Sequence, residues 1–387
     1  MLELYSFVSV RSGLSHYAFS QGWIESLNCP SITKTMKGLI SKAFIKADSI
    51  FARIQLLTER LRCLKKESVY SECIGCPKIG GNIFLTLDGC FTTSRLASNG
   101  KDQTPVFDSH YILHDMNTGE ESTTETQNAT ELLNCTTKFP ATLKKKKYDK
   151  LEETGHFGIA CARHEVILKL VDMKNGESFK YPDHLLKNFF SDNTRKPDKL
   201  YLYYDVMCRY KPHLLHSKIL PNDLIEKTNF LIGQFHVLPH STACIETMQP
   251  YTTPGNGLVD GEALERRWAF FRMHINSIKH MTAQNRAVFL ERLVWWQYKT
   301  QSSQIVSRIL TKQNECKRDL EIITLFDIKD LKDPHSMAVD YIVLDTDNLT
   351  STQMEILCKM EKLSSAFHTQ KVFMARKVLF HILINGN

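Results

Sequence analysis

Acidic residues occur at three places in the sequence where the fold could bring them together. Asp88 and Asp205 each end a run of β-type residues, and Glu262 and Glu265 lie near the start of an amphipathic segment. A strand buried in a sheet delivers its last side chain to the sheet edge, so two adjacent strands would place Asp88 beside Asp205. Carboxylates that close repel each other, and a divalent cation that prefers oxygen ligands, Mg²⁺ or Mn²⁺, would compensate them. Two such ions are suited to phosphodiester cleavage; the alternative is that these acids are ordinary turn or capping residues.

The helical pattern of the third segment distinguishes its two acids. Glu265 lies at the border of the face that apolar residues would bury, because each helical residue turns by about 100°. Glu262 points almost opposite that face and could instead pair with Arg266, four residues later. The sequence therefore favours Glu265 as the third metal ligand and keeps Glu262 as the alternative. The apolar residues that define the face are Leu264, Trp268, Phe271 and Ile275.

Cysteines and histidines form a second set of candidate ligands. They are Cys73, Cys76, Cys161, His164, His236, His240 and Cys244. The first four form a CxxC pair and a CxxH pair, and the last three are spaced by four residues. Zinc takes four sulphur and nitrogen ligands in a closed shell, so one pair cannot complete a site. Buried thiols and hydrogen-bonded histidines are the default interpretation, and a Zn²⁺ site built from Cys73, Cys76 and two of the later residues is the alternative.

The elements that must position these residues predict an α/β fold. Apolar residues recur at helical spacing up to about residue 66, and β-type runs follow. Residues 97–150 are rich in Thr, Asn, Glu and Lys and include four consecutive lysines, which predicts a polar, flexible insertion. The predicted strands begin at residues 82, 156, 165, 199 and 234, and the predicted helices include 181–190, 222–232, about 260–274 and 287–301. Strands followed by alternating helices indicate a mixed sheet flanked by helices.

Composition sets the broad class of the protein. The chain has 387 residues, of which 42% are hydrophobic and 24% are charged, and this is typical of one large globular domain or two ordinary ones. The sequence contains no run of about 18 apolar residues, so no membrane-spanning helix is predicted. No secretory signal is evident either, and we therefore expect the eleven cysteines to be reduced thiols or metal ligands. The net charge of +7 permits a nucleic-acid partner without requiring one.

Six blocks of sequence together resemble one family of transposases. The blocks are Cys73-Ile-Gly-Cys-Pro77, Leu87-Asp-Gly-Cys-Phe91 with Arg95, Glu153-Thr-Gly-His-Phe-Gly-Ile-Ala-Cys-Ala-Arg-His164, Tyr204-Asp-Val-Met-Cys208, Phe235-His-Val-Leu-Pro-His240 with Ala243-Cys244, and Gly257-Leu-Val-Asp-Gly-Glu-Ala-Leu-Glu-Arg-Arg-Trp268. In this order, over about residues 70–300, they resemble the KDZ (Kyakuja, Dileera and Zisupton) transposases. The resemblance implies an RNase H-like core with a triad of acids of the DDE type, and DNA cleavage and strand transfer with a divalent metal in the nucleus.

The resemblance also assigns roles to particular residues. It implies that Asp88 and Asp205 are the first and second catalytic acids and that Glu265 or Glu262 is the third. The pattern Glu265-Arg-Arg-Trp268 is similar to the Glu-Arg-x-Phe of hAT-type transposases, in which that Glu is catalytic, and this agrees with the helical-face argument. Two features depart from the family: Cys90 stands where it usually has Asn, and no cysteine-rich DNA-binding module precedes residue 63. The chain could therefore be a fragment, a decayed copy or a host-adopted derivative.

These observations predict a protein in three parts. They are an N-terminal helical region at 1–69, an RNase H-like transposase core at 70–300 with the insertion at 97–150, and a C-terminal helical region at 301–387. The predicted function is metal-dependent DNA cleavage and strand transfer, with DNA as the partner, a homo-oligomer as a further option, and neither a membrane nor a small-molecule substrate. One alternative is a catalytically inactive, transposon-derived module that binds DNA or protein, and another is a zinc-stabilised structural protein.

Overall fold

The structure analysed is a computed structural model of the chain. It describes residues 1–29, 31–65, 72–77, 80–99, 109–113, 135, 150–174, 176–191 and 196–325. The chain divides into two compact units, Met1–Ile305 and Val306–Asn387. The second unit is described only up to Leu325, where it consists of the end of one helix. No helix in the described ranges is both long and apolar enough to span a membrane.

A six-stranded mixed sheet forms the centre of the first unit. Its strands in chain order are β1 (Asn82–Cys90), β3 (Ile112–Leu113), β5 (Gly155–Cys161), β6 (Val166–Met173), β7 (Lys199–Tyr204) and β8 (Thr228–Leu231). In space the order is β3-β6-β5-β1-β7-β8. Strand β5 is antiparallel to both β1 and β6, whereas β7 is parallel to β1 and β8 is parallel to β7. A separate two-stranded ribbon joins β2 (Arg95–Leu96) to β4 (Leu151–Glu153).

Helices precede the sheet, connect its parallel strands and follow it. They are α1 (Leu2–Ser12), α2 (His16–Ser26), α3 (Lys34–Lys65), α4 (Lys180–Phe189), α5 (Met207–Ser217), α6 (Asn222–Glu226), α7 (Thr242–Met248), α8 (Ala263–Arg272), α9 (Ile275–Lys279) and α10 (Ala283–Leu325). One large buried cluster joins α4 and α5 to the sheet, and a second joins α8 and α10 to it. The sheet is thus flanked by helices, as the sequence predicts for the α/β class.

The sequence pattern assigned one segment to the wrong element. The predicted helix at 222–232 ends at Glu226, and Thr228–Leu231 forms the edge strand β8. Phe230 and Leu231 are buried because β8 pairs with β7, and a short apolar run does not distinguish a helix from a strand by its spacing. The predicted strand at 234–238 is a turn in the structure.

The polar segment at 97–150 is not an insertion throughout. Ile112 and Leu113 form β3 at the edge of the main sheet, and Cys135 is buried. Lys144–Lys147 and most of the remainder lie outside the described residues. The predicted boundaries at 69/70 and 300/301 stay predictions, although Met1–Ile305 forms one compact unit in which the N-terminal helices are included.

Candidate active site

Strands β1 and β7 place Asp88 and Asp205 at the same edge of the sheet. The two strands are parallel and Leu87 is in register with Tyr204, so the two aspartates follow at adjacent positions. The Trp268 indole N–H donates to Asp88 Oδ2 at 2.6 Å. That contact needs a glycine on the neighbouring strand, because a Cβ at Gly158 would lie 2.8 Å from the Trp268 ring. Sheet and helix α8 therefore fix the first aspartate together.

Burial and like charge make ionisation of both aspartates unfavourable. Burial raises the pKa of Asp88 well above its usual range, and the neighbouring carboxylates of Asp205, Glu265 and Glu177 raise it further. Burial raises the pKa of Asp205 to about 7, although the charge of His236 opposes the shift. His236 Nδ1 lies 3.3 Å from Asp205 Oδ1. A group of acids with raised pKa values is typical of a site that uses or compensates charge.

Glu262 is buried and held by hydrogen bonds on both sides. The Phe235 backbone N–H donates to Glu262 Oε1 at 2.9 Å, and His236 Nδ1 lies 3.1 Å from Oε2. Gly233 makes this possible, because a Cβ there would lie 2.4 Å from Oε1. The prediction that Glu262 points away from the buried face was wrong. Helix α8 begins at Ala263, so Glu262 is its N-cap and does not follow the helical angle.

Glu265 is the more accessible of the two glutamates. It lies in the first turn of α8 with 40% of its side chain exposed, whereas Glu262 has 5%. Its Oε1 is 3.9 Å from His236 Nε2, and its Oε2 is 3.7 Å from the Arg272 guanidinium. Glu265 therefore faces the same histidine as Asp205 and keeps room for a ligand.

Arg266 does not pair with Glu262. Its guanidinium contacts Asp260 at 2.8 Å and Glu165 at 2.7 Å. Arg266 therefore pairs with Asp260 and Glu165, and not with Glu262 as the alternative interpretation of the sequence predicts.

His236 lies at the centre of the acidic group. Hydrogen bonding to Glu262 raises the pKa of His236 to about 9, and the charges of Asp205 and Asp88 add to the shift. The ring is therefore a cation at neutral pH and partly balances the surrounding carboxylates.

Glu177 is a member of the acidic group that sequence reasoning missed. The Tyr204 hydroxyl donates to Glu177 Oε1 at 2.7 Å, and burial raises the pKa of this glutamate. Glu177 follows β6, which runs parallel to β1 because β5 is antiparallel to both. Asp88 and Asp205 directly end their apolar runs, whereas Glu177 lies four residues beyond the end of β6. The sequence pattern therefore does not indicate that Glu177 joins the two aspartates.

A first group of four sulphur and nitrogen ligands lies beside the β5–β6 turn. It consists of Cys73, Cys76, Cys161 and His164, as the sequence pairs suggested. His164 Nδ1 is 3.3 to 3.5 Å from the three sulphur atoms. A Cβ at Gly75 would lie 2.9 Å from the His164 ring, so glycine is required between the two cysteines of the CxxC pair. This group could bind a metal such as zinc.

A second group lies beyond the end of β7 and is fully buried. It consists of Cys135, Cys208, His240 and Cys244. His240 Nδ1 is 3.3 Å from the Cys135 sulphur and 3.6 Å from that of Cys208. Sequence reasoning missed Cys135 and Cys208 because neither has a second ligand at a spacing typical of zinc sites. This group too could bind a metal such as zinc, and His236 belongs to neither group.

The acidic group is more open than the two Cys/His groups. Among the residues that the structure describes, only the Cys/His groups have ligand atoms that all lie within 4.8 Å of one another. Like charges at the sheet edge repel, and hydrogen bonds to Trp268, Phe235 and His236 hold the carboxylates in place.

Comparison with models of protein families identifies the family of this chain. A family model described as Kyakuja-Dileera-Zisupton transposase matches residues 82–296. The chain belongs to this family. The range contains all the acids of the site and the whole second Cys/His group, whereas Cys73 and Cys76 precede it. No curated protein and no solved structure matches the chain. Membership of the KDZ family supports a transposase-like function.

Proposed function

We propose that this KDZ transposase cleaves and joins DNA strands with divalent metal ions bound by Asp88, Asp205 and Glu265. The observation that carries the proposal is the parallel register of β1 and β7, which puts the two aspartates side by side beneath α8. Glu265 enters the same group through His236. Glu262 is the less suitable third ligand because both of its oxygens are engaged.

The topology of the sheet supports an RNase H-like core. Strands β1, β5 and β6 form three consecutive antiparallel neighbours, and β7 and β8 then add in parallel on the other side of β1. Asp88 lies near the carboxyl end of β1 and Asp205 follows β7, and these ends meet at one edge of the sheet, where ligands bind in open α/β folds. We propose this fold assignment on the strand order together with membership of the family.

The donor set fits a hard divalent cation. Asp88, Asp205 and Glu265 offer oxygen atoms, which Mg²⁺ and Mn²⁺ prefer, and their mutual repulsion gives a cation a favourable place. When bound, such ions would supply an activated attacking oxygen and stabilise the leaving one. The exposed edge of Glu265 leaves room for a DNA strand, and the exposed Arg272 guanidinium could contact its phosphates.

The surrounding residues have positioning roles in this proposal. Trp268 holds Asp88 by its indole N–H, and Glu262 orients His236 between the acids. His236 carries a positive charge near neutral pH and lowers the cost of ionising Asp205. These groups prepare the carboxylates before metal and DNA bind, which reduces the rearrangement that the reaction requires.

Replacement of Asp205 tests the proposal. Asp205→Asn keeps the size of the side chain but removes the charge, so Mn²⁺-dependent nicking of supercoiled DNA should be lost. A matched control is Glu226→Gln at the exposed end of α6, which should nick as the wild type does. Nicking by purified Asp205→Asn protein at the wild-type rate would show that the acid assignment is wrong. An inactive wild type without saturable Mn²⁺ binding would favour a non-catalytic DNA- or protein-binding module.

We also propose that Cys73, Cys76, Cys161 and His164 bind one structural zinc ion. The three thiols and the imidazole lie at separations that suit tetrahedral zinc, whose bonds are about 2.0–2.3 Å. Hydrogen bonds from the neighbouring thiols hold the pKa of Cys73 well below its usual range. The ion would fasten the segment before β1 to the β5–β6 turn.

A further inference from the structure

We propose that Cys135, Cys208, His240 and Cys244 form a second zinc site, and that this site positions the catalytic Asp205. The inference rests on the proposed function for the role of Asp205, but not for the binding of zinc. It assigns a ligand to residues that come from three separate parts of the chain. Cys135 is the one described residue between Leu113 and Lys150, Cys208 lies in the first turn of α5, and His240 and Cys244 flank the start of α7.

The geometry of the group fits zinc. All four residues are buried, and their ligand atoms lie within 4.8 Å of one another. The His240 nitrogen is 3.3 and 3.6 Å from two of the sulphur atoms. Bonds of about 2.0 Å to nitrogen and 2.3 Å to sulphur place tetrahedral ligands about 3.5 Å apart, so an ion would fit with little movement. Three thiolates and one imidazole favour zinc over Mg²⁺, which takes oxygen ligands.

Neighbouring groups support the ligands from outside. The Ser241 hydroxyl donates to the Cys244 sulphur at 3.2 Å, and the same serine caps α7. Burial lowers the pKa of His240, and an interaction with the backbone of Asp205 opposes this shift, which indicates that the ring lies beside that backbone. A hydrogen bond from the second nitrogen of a histidine ligand is the usual way in which a zinc site fixes its ligand. In the second site the neighbour of the ring is the backbone of Asp205, a member of the proposed catalytic group.

The connection gives the second site a role that the first one lacks. Cys208 lies three residues after Asp205, and His240 lies four residues after His236. Two residues of the acidic group are therefore each close along the chain to a ligand of the second site. The first Cys/His group attaches instead to β5 at Cys161, which pairs with Leu85 rather than with Asp88. Zinc at the second site would therefore hold Asp205 and His236 at a fixed separation.

Metal analysis of the full chain tests the binding. Protein purified under reducing conditions should contain about two zinc ions per chain, and Cys135→Ser should contain about one. The matched control is Cys29→Ser, because Cys29 is exposed and belongs to neither group; it should keep both ions. Co²⁺ exchanged into Cys73→Ser should give the absorption bands of a tetrahedral sulphur-rich site. The same zinc content in Cys135→Ser as in the wild type, iron in place of zinc, or a Cys135–Cys208 disulfide would overturn the proposal.

A separate variant tests the coupling to Asp205. His240→Cys offers a fourth sulphur to zinc but removes the ring that interacts with the Asp205 backbone. It should keep both zinc ions and bind Mn²⁺ about 10-fold more weakly in calorimetry, as expected when an outer hydrogen bond is lost. Wild-type Mn²⁺ affinity in this variant would overturn the coupling. If His240→Cys loses its zinc, the coupling is tested with Cys135→Ser instead. Wild-type Mn²⁺ affinity in Cys135→Ser would also overturn the coupling between the second zinc site and Asp205.

The two proposals fail in different ways. If the wild type contains two zinc ions but does not bind Mn²⁺ at the acids, the zinc site stands, and both the coupling and the proposed catalytic function are wrong. If it binds Mn²⁺ and cleaves DNA but Cys135→Ser contains as much zinc as the wild type, the catalytic function stands and the second zinc site is wrong.

Discussion

The carboxyl group of Asp205 has a pKa of about 7 because burial disfavours its charged form. A metal ion binds the carboxylate and not the acid, so protons compete with Mn²⁺ below this pH. We therefore expect Mn²⁺ affinity at the acidic group to rise from pH 6 to pH 8. Calorimetric titrations at pH 6, 7 and 8 measure this.

This pH dependence of Mn²⁺ affinity would distinguish Asp205 from an aspartate with an ordinary pKa. An aspartate with an ordinary pKa near 4 is ionised throughout this range and would give a flat profile. Affinity that does not change between pH 6 and 8 in the wild type would show that Asp205 is not a ligand or that its charge is not disfavoured.

Glu262 and Glu265 make a matched pair of substitutions. Glu265→Gln should remove a direct ligand and abolish nicking. Glu262→Gln keeps an oxygen for the Phe235 N–H but removes the charge beside His236, so we expect nicking to fall by about 10- to 100-fold, as for other outer contacts of metal sites.

The same two variants differ in a second measurement. The pKa of His236 is raised chiefly by its hydrogen bond to Glu262. Glu262→Gln should therefore lower the pKa of His236, as NMR titration of its ring protons would show, whereas Glu265→Gln should change it less. The assignment of the third acid is reversed if Glu262→Gln is the inactive variant and Glu265→Gln stays active.

The candidate site was accessible to sequence reasoning only in part. Asp88 and Asp205 end apolar runs, so the rule that strand ends meet at a sheet edge picks them out. Glu177 and Cys135 lie in irregular segments, where no periodic pattern indicates which residues the fold brings near. His236 was grouped with the zinc candidates because its type and spacing suit either role; only the contacts with Glu262 and Asp205 distinguish them.

The short ribbon of β2 and β4 depends on one buried ion pair. Arg95 donates two hydrogen bonds to Glu153, and both side chains are less than 10% exposed. Removing one partner leaves the other charge buried and uncompensated, which costs about 3–5 kcal/mol. Arg95→Met should therefore lower the unfolding temperature strongly, and a second substitution, Glu153→Leu, should recover much of the loss.

An exposed pair on α3 provides the control for this effect. Arg62 lies 3.4 Å from Glu59 and has 69% of its side chain exposed. Water and side-chain freedom reduce such a pair to about 0–1 kcal/mol, so Arg62→Met should leave thermal unfolding almost unchanged. Equal shifts in the two single variants would mean that the ribbon is not held by the charge of Arg95.

Elements differ in how well the sequence predicts them. The sequence predicts the long buried strands β1 and β7 from apolar runs that an acid follows, and the ends of both strands lie within two residues of the predicted ones. The edge strands β3 and β8 contain two and four residues, and at that length tertiary pairing decides between helix, strand and loop. The packing of Phe230 and Leu231 against the sheet, which no local pattern contains, makes the segment at 228–231 a strand.

The N-terminal helices belong to the same folded unit as the sheet. Val10 of α1 and Ala52 and Leu56 of α3 are buried in the cluster that also contains Trp268 of the acidic site. Across this contact, Asp48 of α3 lies 3.1 Å from Arg292 of α10, with 3% and 1% of their side chains exposed. The resemblance to KDZ transposases begins only near residue 70, so sequence reasoning treated these helices as a separate region.

Removal of these helices tests the extent of the unit. A fragment of residues 70–305 would expose that apolar face and leave Arg292 buried without Asp48, so we expect it to be insoluble or to lack a cooperative thermal transition. The fragment 1–305 should unfold cooperatively. In the full chain, Asp48→Ala should destabilise by about 3–5 kcal/mol, whereas Lys46→Ala at an exposed position of α3 should not. A soluble 70–305 fragment that binds Mn²⁺ as the full chain does would show that the N-terminal helices are a separate domain after all.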